Sequence, residues 1–284
     1  MRFDQWRKRA IERLCLYKRA EYDVDALLSF ITGKNRSYIL AFSETELRLE
    51  QEEQLEQLLR KRESYEPLAY LIGKSEFWSL NIEVSPVTLI PRNDTECLVE
   101  KALELLPNHA CTVLDLGTGT GAIALALASE RPDCQFIGVD YLVDAIELAS
   151  RNASRLKIAN TSFIRGNWFE PIQGHKFMLI ISNPPYIDEL DPHLLEKDIR
   201  YEPLSALVAP EKGLAYLRHI IACAPDYLID NGWLLIEHGW KQGTTVRNML
   251  SASGFNHIST KKDYGNNERC SLGQRLRILN TKNT

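Results

Sequence analysis

Asp115-Leu116-Gly117-Thr118-Gly119-Thr120-Gly121 joins a short apolar run, residues 111–116, to a compact Ala/Leu segment, residues 122–129. The run has the length and character of a buried strand, and the segment that of a helix. Three glycines at alternate positions leave no Cβ where a ligand must lie against the backbone. The helix that follows presents free N–H groups toward the same place. A second buried run, Phe136-Ile137-Gly138-Val139-Asp140, ends in an acid 19 residues after Gly121. There a carboxylate can accept both hydroxyls of a ribose. Strand, glycine loop, helix, strand and acid in this order predict a doubly wound α/β sheet.

Downstream the alternation continues. A helix over 144–153, a short strand over 162–165 and a buried strand over 177–182 come first. A helix over roughly 214–229, a strand over 233–237, a helix over 241–253 and a late antiparallel edge strand over 275–279 complete it. Upstream, residues 77–84 alternate with period two as a half-buried strand does, Ser85-Pro86 ends it, and 87–90 is expected to return as a second strand. Residues 1–73 read as helices: Trp6, Ala10, Leu14 and Tyr17 share one face, and Val24, Leu27, Leu28 and Ile31 another. Ser43-Glu44-Thr45-Glu46 reads as a capping box opening a charged helix that buries Leu47, Leu55, Leu58 and Leu59. Pro67 can start a last short helix and Gly73 end it. The expected division is a helical domain 1–73, a β-hairpin linker 74–94 and an α/β domain 95–284.

The composition, 44% hydrophobic and 25% charged with mean hydropathy -0.25, is that of a soluble enzyme. No apolar run approaches the ~20 residues a membrane span needs, and no secretory h-region follows Met1. The six cysteines are scattered without a C-x-x-C pair, which predicts buried thiols in the cytoplasm and no metal site. Residues 1–20 carry seven Lys/Arg against Asp4 and Glu12, readable as a solvated helix face or as a contact for RNA or a protein. The chain as a whole is -4 with pI about 5.9, which argues against a protein that wraps nucleic acid.

Residues 117–121 are G-x-G-x-G rather than the G-x-G-x-x-G of dinucleotide sites, which suits a ligand with no pyrophosphate, such as the methionine end of a sulfonium cofactor. Asn183-Pro184-Pro185-Tyr186 follows directly on the strand 177–182. The prolines fix their φ and hold Asn183 extended, giving a stiff platform where open α/β sheets bind ligands. A planar amide or exocyclic amine is a poor nucleophile because its lone pair is delocalised. The Asn183 side-chain oxygen and the Pro184 carbonyl are acceptors that can hold its two N–H groups and stabilise the growing positive charge. Tyr186 can stack on the planar group, and Trp168 can lie against an adenine ring or be an ordinary core tryptophan.

On these motifs, together with Leu68-Ala69-Tyr70-Leu71-Ile72-Gly73, Leu89-Ile90-Pro91-Arg92 and Ile236-Glu237-His238-Gly239, the chain resembles the bacterial peptide chain release factor N5-glutamine methyltransferases. The resemblance implies a class I methyltransferase domain with a seven-stranded Rossmann-like sheet, and a helical N-terminal domain that recognises the substrate. It implies S-adenosyl-L-methionine as methyl donor, with S-adenosyl-L-homocysteine as product, no metal, and the Gly-Gly-Gln glutamine of class 1 release factors as acceptor. Gly117, Thr118, Gly119, Thr120, Gly121, Asp140, Trp168 and Asn183 would contact the cofactor. Asn183, Pro184, Pro185 and Tyr186 would hold the glutamine, with Asn183, Pro184 and Tyr186 serving catalysis. A monomer acting without membrane or nucleic acid is expected. Asn93 and Asn167 stand where the family commonly has Pro and Asp; the second replaces a carboxylate contact to the adenine amino group by an amide oxygen. A nucleic-acid adenine N6-methyltransferase would use the same platform. However, residues 187–202 hold six acids against Lys197 and Arg200, which would repel a phosphate backbone. A non-catalytic binding module built on the N-terminal helices is a third reading, disfavoured by the intact loop and platform.

Overall fold

The computed structural model of the chain describes residues 1–276. The chain divides into two compact units, Met1–Lys74 and Ser75–Thr284.

The first unit holds α1 (Phe3–Arg13), α2 (Ala20–Thr32), α3 (Arg36–Ala41), α4 (Leu49–Glu63) and α5 (Leu68–Ile72). Trp6, Ala10 and Leu14 pack with Val24, Leu27, Leu28, Leu55 and Leu59 in one buried cluster. Each large apolar side chain contributes roughly 1.5–3 kcal/mol by leaving water. The capping box expected at Ser43 does not form. The carbonyls of Ser43 and Thr45 instead accept N–H groups from Asp4 and Phe3, so this stretch lines up beside the start of α1. The helix starts at Leu49, where the Gln51 side chain accepts the Arg48 N–H. Much of the basic charge near the N-terminus is paired within the unit: Arg7 with Asp25, and Arg13 with Glu56 and Glu63. This favours the reading of a solvated helix face.

Next comes a hairpin of β1 (Lys74–Phe77) and β2 (Leu80–Glu83). Its turn falls inside the run expected to be a continuous strand, with Trp78 and Ser79 at φ 52° and 57°, the double positive φ of a type I′ turn. No strand forms over 87–90, where the Thr88 N–H closes a turn on the Ser85 carbonyl beside Pro86.

The remaining elements are α6 (Glu96–Leu105), β3 (Thr112–Leu116), α7 (Ala122–Glu130), β4 (Gln135–Asp140), α8 (Val143–Leu156), β5 (Thr161–Arg165) and β6 (Phe177–Ser182). They continue with a tight turn α9 (Pro210–Gly213), α10 (Ala215–Cys223), β7 (Leu228–Glu237), α11 (Gly243–Ala252), β8 (Asn256–Lys262) and β9 (Glu268–Gln274). The helix expected over 214–229 stops at Cys223, because Pro225 follows and β7 starts at Leu228. The late edge strand is likewise corrected. Two strands, β8 and β9, pair antiparallel before residue 275, and residues 277–279 of the expected strand lie outside the described residues.

The sheet has seven strands in the order β5-β4-β3-β6-β7-β9-β8. Strands β3 to β7 run parallel, and β9 pairs antiparallel with β7. Chain order reverses at β3, which pairs β4 on one side and β6 on the other. That switch point opens a crevice at the carboxyl ends of β3 and β6, which carry the glycine loop and Asn183. Helix α7 is buried from Ala122 to Ala128, its small side chains letting it sit tight on the sheet. Among the described residues no helix is long and apolar enough to cross a membrane.

Candidate active site

The loop after β3 is tied to the neighbouring strand. The N–H groups of Gly117 and Thr118 both donate to the Val139 carbonyl, at 2.9 and 3.0 Å. Gly117, Gly119 and Gly121 all have positive φ (70°, 54° and 80°), which explains three glycines in five residues. Their surroundings differ. Gly117 and Gly119 line a cavity of about 370 Å³, with Thr118, Thr120, Asp140, Trp168, Asn183 and Pro185. Gly121 is not in that lining: a Cβ there would stand 3.0–3.1 Å from Ala149 and Phe163, so it serves helix packing. Asp115, read from sequence only as part of the loop, braces it. Its Oδ2 accepts the Thr118 hydroxyl at 2.6 Å. Burial pushes its carboxyl up to about 7, against the stabilising Thr118 hydroxyl and Ala124 N–H.

Asp140, ending β4, accepts the Gly119 N–H on Oδ2 at 2.8 Å and the Leu142 N–H on Oδ1 at 3.0 Å. Burial raises its pKa and these backbone donors oppose the rise. Each oxygen keeps a lone pair for a further donor. Trp168 forms a wall: a Cβ on Gly117 would lie 3.7 Å from its ring, and the ring packs on Tyr216 with centroids 5.4 Å apart. It holds φ 50°, rare for a bulky residue. Asn167 lies beside it in the lining.

The platform after β6 stands between two cavities. The second, of about 300 Å³, is lined by Asn183, Pro184, Pro185 and Tyr186, and by Arg92, His193, Glu196, Asp198 and Glu237. Asn183 and Pro185 line both spaces, whereas Pro184 and Tyr186 line only the second. Of the acids expected to repel phosphate, Glu196 and Asp198 therefore line the second cavity. Tyr186 is not free to swing. Its hydroxyl donates to Glu237 Oε1 at 3.1 Å, Arg269 donates to the same hydroxyl at 3.4 Å, and Gln242 donates to the Tyr186 carbonyl at 3.0 Å. Glu237, Gln242 and Arg269 thus act together as a clamp. His238 is buried between the Gly239 carbonyl (2.9 Å) and Ser271 Oγ (2.8 Å), and burial lowers its pKa.

A further clamp was not legible from sequence. Glu211, Lys212 and Gly213 have successive positive φ (56°, 58° and 83°), which brings Gly213 against the platform. A Cβ on Gly213 would sit 2.1 Å from the Tyr186 carbonyl oxygen. Gly213→Ala should therefore displace residues 185–187, lower the melting temperature by several degrees and reduce activity about tenfold. A melt and rate equal to wild type would show the contact to be slack. Among the described residues no cluster of His, Cys, Asp or Glu could hold a metal ion.

Comparison with known proteins agrees with this architecture. Residues 107–268 match the family described as Methyltransferase domain, and residues 5–73 match the PrmC N-terminal domain. A protein of Escherichia coli (strain K12) named release factor glutamine methyltransferase is 52% identical over 274 residues, covering 96% of this chain and 99% of its own length. A protein of the same name from Yersinia pestis is 56% identical over 274 residues, with the same coverage. The solved structure of a methyltransferase from Pyrococcus furiosus shares the fold, with TM-score 0.54 at 17% identity, over 70% of this chain and 90% of that one.

Proposed function

This chain belongs to the release factor glutamine methyltransferase family, and we infer that it transfers a methyl group from S-adenosyl-L-methionine to the side-chain amide nitrogen of the Gly-Gly-Gln glutamine of class 1 peptide chain release factors. The observation that carries the reading is the position of Asn183 and Pro185 on the wall common to two cavities. One space suits the methyl donor, and the other admits the acceptor.

The donor fits the first space. About 370 Å³ lies within the usual range for small-molecule sites, side-chain-free Gly117 and Gly119 leave a slot beside Trp168, and Asp140 supplies acceptors at its side. When bound, S-adenosyl-L-methionine offers an electrophilic methyl on sulfur and leaves as S-adenosyl-L-homocysteine. The chain's own residues do the rest. Gly117 to Thr120 would hold the methionine end, Asp140 would accept from the ribose hydroxyls, and Trp168 would lie against the adenine, with Asn167 beside it as an acceptor for the amino group. Asn183 Oδ1 and the Pro184 carbonyl accept the two amide N–H groups, turning the nitrogen toward the methyl. Pro185 and the clamped Tyr186 keep that plane from rotating. Because the nitrogen becomes cationic on attack, its proton can leave afterwards, and no dedicated base is required. In-line alignment of this kind is worth up to roughly 7–11 kcal/mol in well-oriented systems.

The test is to incubate the chain with methyl-labelled S-adenosyl-L-methionine, purified release factor, DNA and RNA together. Label on the Gly-Gly-Gln glutamine is expected; label on adenine would overturn the assignment. Asp140→Ala should weaken S-adenosyl-L-methionine binding by about 1.5–3 kcal/mol, or roughly 10–150-fold in Kd. Calorimetry measures this, and an unchanged affinity would remove Asp140 from the site.

A further inference from the structure

Asn183 can serve as an acceptor only if its amide is turned with the oxygen toward the acceptor cavity. An asparagine amide has two faces of nearly equal shape, one accepting and one donating. The wrong turn would present an NH₂ to the substrate's own NH₂. Something must choose.

Asn183 Nδ2 donates to Thr95 Oγ1 at 3.2 Å, across 88 residues of chain. Thr95 immediately precedes α6, where a threonine ordinarily caps the helix with its oxygen, yet its side chain makes no capping bond. It is buried, 4% exposed. Glu237, 2% exposed, accepts the Tyr186 hydroxyl on Oε1 and has Oε2 buried with no hydrogen-bond partner among the described residues, and the Thr95 hydroxyl is close enough to this carboxylate to stabilise its anion. A hydroxyl can donate one proton and accept others, whereas an ionised carboxylate can only accept.

Building on the glutamine methyltransferase reading, we propose that Thr95 and Glu237 are positioning residues that set the polarity of the Asn183 amide. Ionised Glu237, which can only accept, draws the Thr95 O–H toward its open Oε2, and this leaves Thr95 Oγ1 facing Asn183 as an acceptor. Asn183 must then give its NH₂ to Thr95 and its oxygen to the substrate. The groups acting on Glu237 agree. Burial pushes its carboxyl up to about 7, while the Thr95 hydroxyl, the Arg269 guanidinium and the Tyr186 hydroxyl stabilise the anion and Asp94 opposes them. Protonated Glu237 can donate, and the order of donors along the chain is then no longer enforced. The turnover step should therefore decline as pH falls through the Glu237 pKa.

The test compares the full-length wild type with Thr95→Val, Thr95→Ser and Glu237→Gln on intact release factor. Valine keeps the shape of threonine and removes the hydroxyl. It should lower kcat about 10–100-fold, since a small misplacement of a reacting group has effects of that order, with the Kd for S-adenosyl-L-methionine within about threefold. Serine restores the hydroxyl and should return kcat to within about threefold of wild type. Glu237→Gln should lower kcat and remove the acid limb of its pH profile while the cofactor still binds. Should the valine variant not fold, as judged by melting with cofactor, the Glu237→Gln profile decides. Near wild-type kcat in Thr95→Val, or an unchanged acid limb in Glu237→Gln, would overturn the positioning role and leave the functional reading standing. A wild type inert on release factor would overturn both.

Discussion

Asn183→Ala is expected to lower kcat for methyl transfer about 10²–10³-fold, the usual effect of deleting one preorganised polar group at a developing charge. The cofactor Kd should stay within a few-fold. The asymmetry follows from the placement of the residue. Asn183 contributes one wall to the first cavity, which Gly117, Gly119, Asp140 and Trp168 would still enclose. In the second cavity its oxygen and the Pro184 carbonyl are the proposed pair that holds both amide hydrogens. The β6 strand itself stays anchored, because Ser182 Oγ donates to the Leu116 carbonyl at 2.7 Å independently of Asn183. Single-turnover rates with calorimetry separate the two quantities. Retention of wild-type turnover would remove Asn183 from the chemistry, and the positioning proposal for Thr95 with it.

A chain beginning at Ser75 should still bind S-adenosyl-L-methionine but lose on the order of a hundredfold or more in kcat/KM on intact release factor. Every residue lining the two cavities around the platform lies after residue 76. The second unit has its own buried core, including Leu114, Ile180 and Leu234 on three adjacent strands. Two acceptors and one aromatic ring cannot select one glutamine among all those in a cell, so a wider surface must supply selectivity. The first unit leaves Tyr22, Phe30, Leu40 and Phe42 exposed, apolar and aromatic side chains of the type enriched where proteins dock. Losing two contacts worth about 2 kcal/mol each would produce the expected drop. A short Gly-Gly-Gln peptide, which cannot reach such a surface, should be methylated nearly as well by the truncated chain as by the full one. Melting with cofactor establishes that the truncated chain is folded. Full-length rates on intact release factor would exclude the first unit from recognition.

What was legible in the sequence was carried by residues whose demands are local. Glycines at alternate positions require positive φ wherever they stand, prolines fix φ without help from neighbours, and an acid at a strand end is placed by the strand. The glycine loop, Asp140, the platform and the parallel strands of the α/β sheet could therefore be read from short stretches of chain, whereas the count of seven strands came only from the family resemblance. The same locality explains the failures. Trp78 and Ser79 form a tight turn without a glycine to announce it. Strand β8 is largely solvent-exposed and polar, so it lacks the apolar alternation that marks a strand. Ser43 to Glu46 has a capping signature but is claimed by backbone partners near the N-terminus.

The support of the platform belongs to the tertiary structure alone. Thr95, Gly213, Glu237 and Arg269 are spread over more than 170 residues, and although Glu237 stands in a motif quoted from the sequence, the task of none of them is legible there. They meet because β6 lies between β3 and β7, and β7 lies beside β9, an order set by how the whole sheet buries its apolar faces. Sequence determined which groups are proposed to bind a methyl donor and a planar amide. Only the packing of distant strands decided which way those groups are turned, because a side chain's hydrogen-bond partners are chosen by neighbours in space.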